Sequence, residues 1–145
     1  MKQLIAAAAL ALTAQSAVAQ EAVRYTTTLS YDDVVFGLEN AITNRGLVID
    51  HVSNVGRMLE RTRAEVGSDI VLFQNAQVFS FCSAKLSRQV MEADPMNIAF
   101  CPYDIFVAQL PEAEEVTIGF HAFPQGEMQL IQQLLDGIVK EAIEE

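Results

Sequence analysis

The chain has 145 residues, with nineteen acidic and nine basic side chains and a formal net charge of −10. That balance argues against a nucleic-acid partner, which needs clustered Lys and Arg, and against docking on anionic lipid. The length suits one domain that buries a core without staples, and the acidity itself does no more than keep such a protein soluble.

Residues 1–19 read as a cleaved secretory signal peptide. Lys2 supplies the positive start, Leu4 to Leu12 is an unbroken apolar run, and Ala17-Val18-Ala19 places small residues where a signal peptidase cuts. The run is far shorter than the roughly 20 residues a membrane-spanning helix needs. No cysteine near the cut offers a lipid attachment site, and no later stretch is apolar enough to span a bilayer. The expectation is therefore a periplasmic protein without a membrane anchor, whose residues 20–145 form a single domain.

Val23 to Leu29 is rich in β-branched residues and reads as a strand. Ser30 followed by Asp33 looks like a capping box, after which Val34, Leu38, Ala41 and Ile42 mark one helical face. Gly46 is placed to stop that helix, and Leu47 to Val52 reads as a second strand carrying His51. Asn54 to Arg63 is a short helix of mixed charge, followed by a loop through Gly67 and the apolar run Ile70-Val71-Leu72-Phe73. Ala76 to Cys82 reads as a strand and Ala84 to Ala93 as a helix with Leu86, Val90 and Met91 inward, broken by Asp94-Pro95. Ile98 to Leu110 and Glu115 to Phe123 are strand-like. From Glu127 onward, Met128, Ile131, Leu134, Leu135, Ile138 and Ala142 recur at amphipathic-helix spacing. The pattern points to an α+β domain of two layers, an antiparallel sheet with helices on one face.

Residues 80 to 107 carry the most information, because both cysteines, Cys82 and Cys101, flank a helix-patterned segment there. Cys82 ends a strand, Pro95 interrupts the block, Cys101-Pro102 opens the next strand, and Ile105 and Val107 alternate along it. Upstream, Arg45 to Asp50 places a glycine before a strand. In these features the chain resembles the domain of unknown function 302 family over roughly residues 30 to 123. The resemblance implies a two-layer fold like that of the TATA-binding protein, with elements in the order β-α-β-β-α-β-β-α. It implies fold only, since the motifs are structural and nothing here matches a basic DNA-facing surface. In the cysteine-bearing branch of that family the second cysteine follows the proline, whereas Cys101 precedes Pro102, so no pairing transfers from it.

The residues themselves leave the cysteines open. In an oxidising compartment two cysteines favour a disulfide. Parallel strands would hold Cys82 and Cys101 a strand length apart, roughly 20 Å, against the at most about 7 Å between Cα atoms that a disulfide spans. Antiparallel strands, as the resemblance implies, put both at one end of the sheet, and bridging then needs a shared face. Separate buried thiols, or a redox or metal role, are the alternatives, although the spacing is not C-x-x-C.

Other candidates each have a bland reading. His51 and His121, with Met91, Met96 and the thiols, make a soft donor set for Cu or Zn, yet no pair has a recognised ligand spacing. Asp104, a ligand-contact candidate, is a charge inside the apolar strand Tyr103 to Val107, facing solvent or helping to line a pocket on the open sheet face; His121, a further candidate, has the plain alternative of a strand residue with a satisfied ring. Arg57 and Arg61, one turn apart, are an anion-binding candidate; the plain alternative is local pairing with Glu60 and Glu65. No nucleophile elbow, phosphate-binding loop or dinucleotide fingerprint is present. The expected function is thus an exported accessory module that binds a small ligand or a protein partner, rather than an enzyme. The alternatives are a thiol-dependent redox or sulfur- or metal-handling protein centred on Cys82 and Cys101, and a structural homodimer that hides an open sheet face.

Overall fold

The computed structural model describes residues 21–144. The expected signal peptide and Gln20 lie outside the described residues. Among those residues no helix is long and apolar enough to cross a membrane.

Local chemistry sets the elements. Strand β1 (Ala22–Thr27) leads to helix α1 (Tyr31–Thr43), whose N-cap Ser30 accepts the Asp33 N–H, while Asp32 and Asp33 sit against the positive end of the helix dipole. The anticipated face of α1 is the one buried, through Val34, Leu38, Ala41 and Ile42. Gly46, at φ 71°, then turns the chain into β2 (Val48–Ser53), a conformation that favours glycine. Asn54 caps α2 (Val55–Thr62), Ser83 caps α3 (Ala84–Ala93), and α4 spans Gln129–Ala142. Strands β3 (Asn75–Cys82), β4 (Tyr103–Gln109) and β5 (Val116–His121) complete the set.

One expected element is corrected. The run from Ile98 to Leu110 is not a single strand, because residues Pro95–Phe100 form a 3-10 helix and β4 begins only at Tyr103. Asp94 accepts the Met96 N–H at 2.9 Å, Pro95 occupies the first helical turn, and the Asn97 side-chain amide donates to Val90 O at 2.8 Å. These bonds hold the segment in a turn that its apolar sequence does not advertise. Residues 70–73 join no strand ladder.

The five strands form one antiparallel sheet in the order β1-β5-β4-β3-β2. Helices α1, α3 and α4 cover one face over a core that includes Phe79, Phe81, Ile105, Ile118 and Phe120. The short α2, an addition to the order that the family resemblance implies, sits on the other side. There Gly56 approaches Ala76, which is buried although the pleat turns it away from Phe79 and Phe81. Edge strand β2 carries a bulge between Ile49 and His51. The extra residue, Asp50, changes the alternation, so that Ile49 and Val52 both pack inward while Val48 and His51 face out. Helices α1 and α4 approach so closely that a Cβ on Gly37 would lie 2.4 Å from Ala142 O.

Candidate functional site

Strand alternation and register assemble a polar row on the face that α1, α3 and α4 leave open. His51 pairs with Ser80, and Ser80 pairs with Asp104. Continuing the β4–β5 register two residues beyond Phe106 and Gly119 sets Asp104 opposite His121. Directly opposed residues share a face, so His51, Ser80, Asp104 and His121 cross four strands in one line. The Ser80 hydroxyl donates to Asp104 Oδ1 and fixes that carboxylate in place.

Asp104 and His121, two of the four expected ligand contacts, line one cleft of about 360 Å³ with Phe100, Pro102, Phe123 and Ala99. The aromatic wall is ordered by an edge-on contact of Phe100 with Phe123 at 5.9 Å and of Tyr103 with Phe123 at 6.1 Å. No Lys or Arg lines this cleft, so its charge is that of the Asp104 carboxylate.

The cysteines meet at the end of this face. Antiparallel pairing of β3 with β4 brings the end of one strand beside the start of the other, and Cys82 Sγ lies 2.9 Å from Cys101 Sγ. Both thiols are free and half-buried. Burial first, and then the neighbouring Cys101 and Asp50, push the Cys82 thiol up to about 12. Cys82 is therefore almost wholly protonated at neutral pH and a poor nucleophile.

The remaining candidates separate. His51 and His121 stand three strand spacings apart, about 14 Å, too far to share a metal ion. Met91 packs against the core and Met96 is exposed. Among the described residues no three His, Cys, Asp or Glu are grouped to hold a metal ion. Arg57 and Arg61 lie on α2, away from the Asp104 cleft, and line a separate hollow with Val71 and Phe73. Their expected local pairing does not form: Glu60 is taken by Arg63, at 3.0 Å, and no described carboxylate pairs with Arg57 or Arg61.

Ser80, Phe100 and Phe123 escaped the sequence reading. The alternation of β3 carried a signal for Ser80, which shares a face with Cys82, but its partner Asp104 depends on register. Phe100 reaches the cleft through the 3-10 helix, which the sequence pattern disguised as strand.

The sequence model of the domain of unknown function DUF302 matches residues 23–145. Among solved structures, an uncharacterized conserved protein DUF302 from Bacillus stearothermophilus superposes with a TM-score of 0.55 at 18% identity, covering 82% of this chain and 86% of that one. At that identity the likeness is one of fold. No curated protein matches the chain. The chain belongs to the DUF302 family.

Proposed function

We propose that this DUF302 domain is an exported binding module that seats a small organic cation in the open-face cleft, with Cys82 and Cys101 joined in a disulfide beside it. The observation that carries the reading is the lining of the cleft. A carboxylate held by Ser80, an imidazole and two aromatic rings converge there with no basic side chain among them. A carboxylate gives an ammonium group its counter-charge, and aromatic faces bind the same group through their quadrupoles. His121 adds a donor and an acceptor to orient the remainder of the ligand. The polar row also suits a ligand better than the apolar centre of a homodimer interface. The export reading rests on the basic, apolar and small-residue pattern of residues 1–19.

Calorimetric titration with choline and with its uncharged carbon isostere tests the cleft. Choline is expected to bind and the isostere to bind far more weakly, and Asp104→Asn is expected to abolish the difference. Equal binding of the two compounds, or no heat from either, sinks the reading.

The 2.9 Å contact between the sulfurs favours a structural bridge over thiol catalysis. Both Sγ–H bonds break and one Sγ–Sγ bond forms, two protons and two electrons passing to a disulfide-bearing oxidant by exchange. The raised Cys82 thiol argues against catalysis at that sulfur, because a catalytic thiol needs a lowered value, and leaves Cys101 to attack in the exchange. Intact mass after alkylating the denatured, unreduced protein decides it: no added label means a bridge, and two labels mean that the thiol-based alternative stands.

A further inference from the structure

The structure assigns a second binding surface, on α2 and the loop that follows it: a dock for an acidic protein segment that carries one large apolar anchor. This surface is separate from the Asp104 cleft and does not depend on it.

Arg45, Arg63, Arg88 and Lys140 each form an ion pair, with Glu141, Glu60, Glu92 and Asp136 respectively. Of the eight described Lys and Arg side chains, Arg24, Arg57, Arg61 and Lys85 form no ion pair among the described residues, and only Arg57 and Arg61 of these share an element. These two stand one helical turn apart and both are exposed. Two unpaired guanidiniums side by side repel one another and are complementary to carboxylates, which they bind in a two-pronged geometry.

The same region exposes apolar side chains that a solvated loop does not require. Val66 is 74% exposed, Ile70 67% and Leu72 50%, and α2 has no fully buried residue. A cluster of exposed apolar side chains rimmed by polar ones marks a surface suited to a protein contact. A pocket of about 160 Å³ lies within the cluster, walled by Leu59, Val66, Ile70, Leu72 and Phe73 and closed on its polar side by the Glu60–Arg63 pair, Thr62 and Ser68. An apolar cavity of roughly 150 Å³ holds one benzene ring, so this one takes a single Phe or Leu side chain. Gly56, Glu60 and Phe73 line both this pocket and the Arg57–Arg61 hollow, which places the two side by side.

Charge selects the occupant. Residues 1–20 contain no Asp or Glu, so the chain's own N-terminal segment cannot satisfy the two arginines. A second copy docked two-fold through this face would set the same two arginines opposite these, like charge on like. A foreign segment with carboxylates flanking an apolar anchor satisfies both halves of the surface.

Amide chemical shifts of the mature protein are to be followed on titration with a short peptide in which glutamates flank one phenylalanine. Two control peptides replace the glutamates by glutamine or the phenylalanine by alanine. Shift changes confined to residues 54–75 are expected. Affinity should fall about tenfold or more for either control peptide and for the double variant Arg57→Gln, Arg61→Gln, as for a charge-assisted contact that loses one partner. Equal affinity for the glutamine peptide, shifts located elsewhere, or no shift with any peptide overturns the proposal. Sedimentation is to be run in parallel: a monomer is expected, and a dimer dissolved by Leu72→Asp would make a second copy the occupant and overturn it too. Choline titration of the Arg57→Gln, Arg61→Gln variant separates this surface from the Asp104 cleft, because cleft binding is expected to survive there.

Discussion

The two faces of the sheet are made from the same strands and do opposite work. On the covered face Phe79, Phe81, Ile105, Val107 and Ile118 have no exposed surface, and they carry no chemistry beyond their bulk. On the open face the alternate residues of those strands include Ser80, Cys82, Asp104 and Gly119, with His51 and His121 beside them, while Ala76, Val78, Phe106 and Ala108 make its other end apolar where α2 packs. A period of two lets each strand supply stability on one side and polar groups on the other. The bulge at Asp50 keeps that division intact at the edge, since without it either Ile49 or Val52 would leave the core. In such a fold a site can change while the core remains, which is how one small scaffold can serve different ligands.

Substituting one residue on each face at the same end of the sheet puts that division to its most severe test. Phe79→Ala removes a fully buried ring and is expected to lower unfolding free energy by about 3–5 kcal/mol. His51→Ala, beside it but outward, is expected to stay within about 0.5 kcal/mol of wild type. Urea denaturation measures both, and similar losses would mean that the open face is also a packed surface.

The cysteine pair lies where the faces meet, at the end of β3 and the start of β4. If it closes, it links residues nineteen apart, and a loop of that length is expected to gain about 3 kcal/mol over the reduced protein. Denaturation with and without a reductant measures the difference. A gain near zero would leave the bridge without a structural role.

A third test concerns how the covering layer is held together. In Gly37→Ala the new methyl meets the Ala142 carbonyl, and the end of α4 must give way. Alanine also favours the helix by nearly 1 kcal/mol, against an overpacking cost of about 1–3 kcal/mol, so a net loss of about 1 kcal/mol is expected. A more stable variant would show that α1 and α4 pack loosely.

The covered face was largely legible in the sequence and the open face was not, for physical reasons. Val34, Leu38, Ala41 and Ile42 announce a helix because burial imposes its period on apolar residues. The same holds for Ile131, Leu135 and Ile138 in α4. The cysteine block was recognisable as a strand, helix and strand, and Asp104 stood out as a charge among apolar neighbours. The Ser80–Asp104 bond was invisible, since register is a property of strand pairs rather than of either strand. Pro95 to Phe100 misled because Ile98, Ala99 and Phe100 read as the approach to a strand, while the bonds that curl them come from Asp94 and Asn97. The pairing of Arg63 rather than Arg57 or Arg61 with Glu60 follows from the end of α2, where Arg63 also reaches the Asp69 carbonyl at 3.2 Å.

The smallest expected effect is a pH dependence in the covering layer, which tests whether the closed side holds any titrating device of its own. Tyr25 on β1 donates to Asp136 on α4, and Lys140 pairs with the same carboxylate at 2.7 Å. Burial alone would raise the Asp136 carboxyl, but the bonds from Lys140 and Tyr25 outweigh it and hold the group below its usual range. The Tyr25 hydroxyl is raised, first by its bond to Asp136 and then by burial. A depressed carboxyl stabilises the fold above its ordinary value of 3.8, and that contribution fades as pH falls through the folded value. A raised phenol acts at the other end: its contribution is complete below 10.0 and is lost as pH climbs through the folded value. Asp136→Asn is therefore expected to flatten the stability profile at both extremes while changing little at neutral pH, the scale being that of one surface pair. Denaturation midpoints taken across the pH range check this. Acid and alkaline slopes that persist unchanged in the variant would show that the Tyr25–Asp136–Lys140 cluster does not set them.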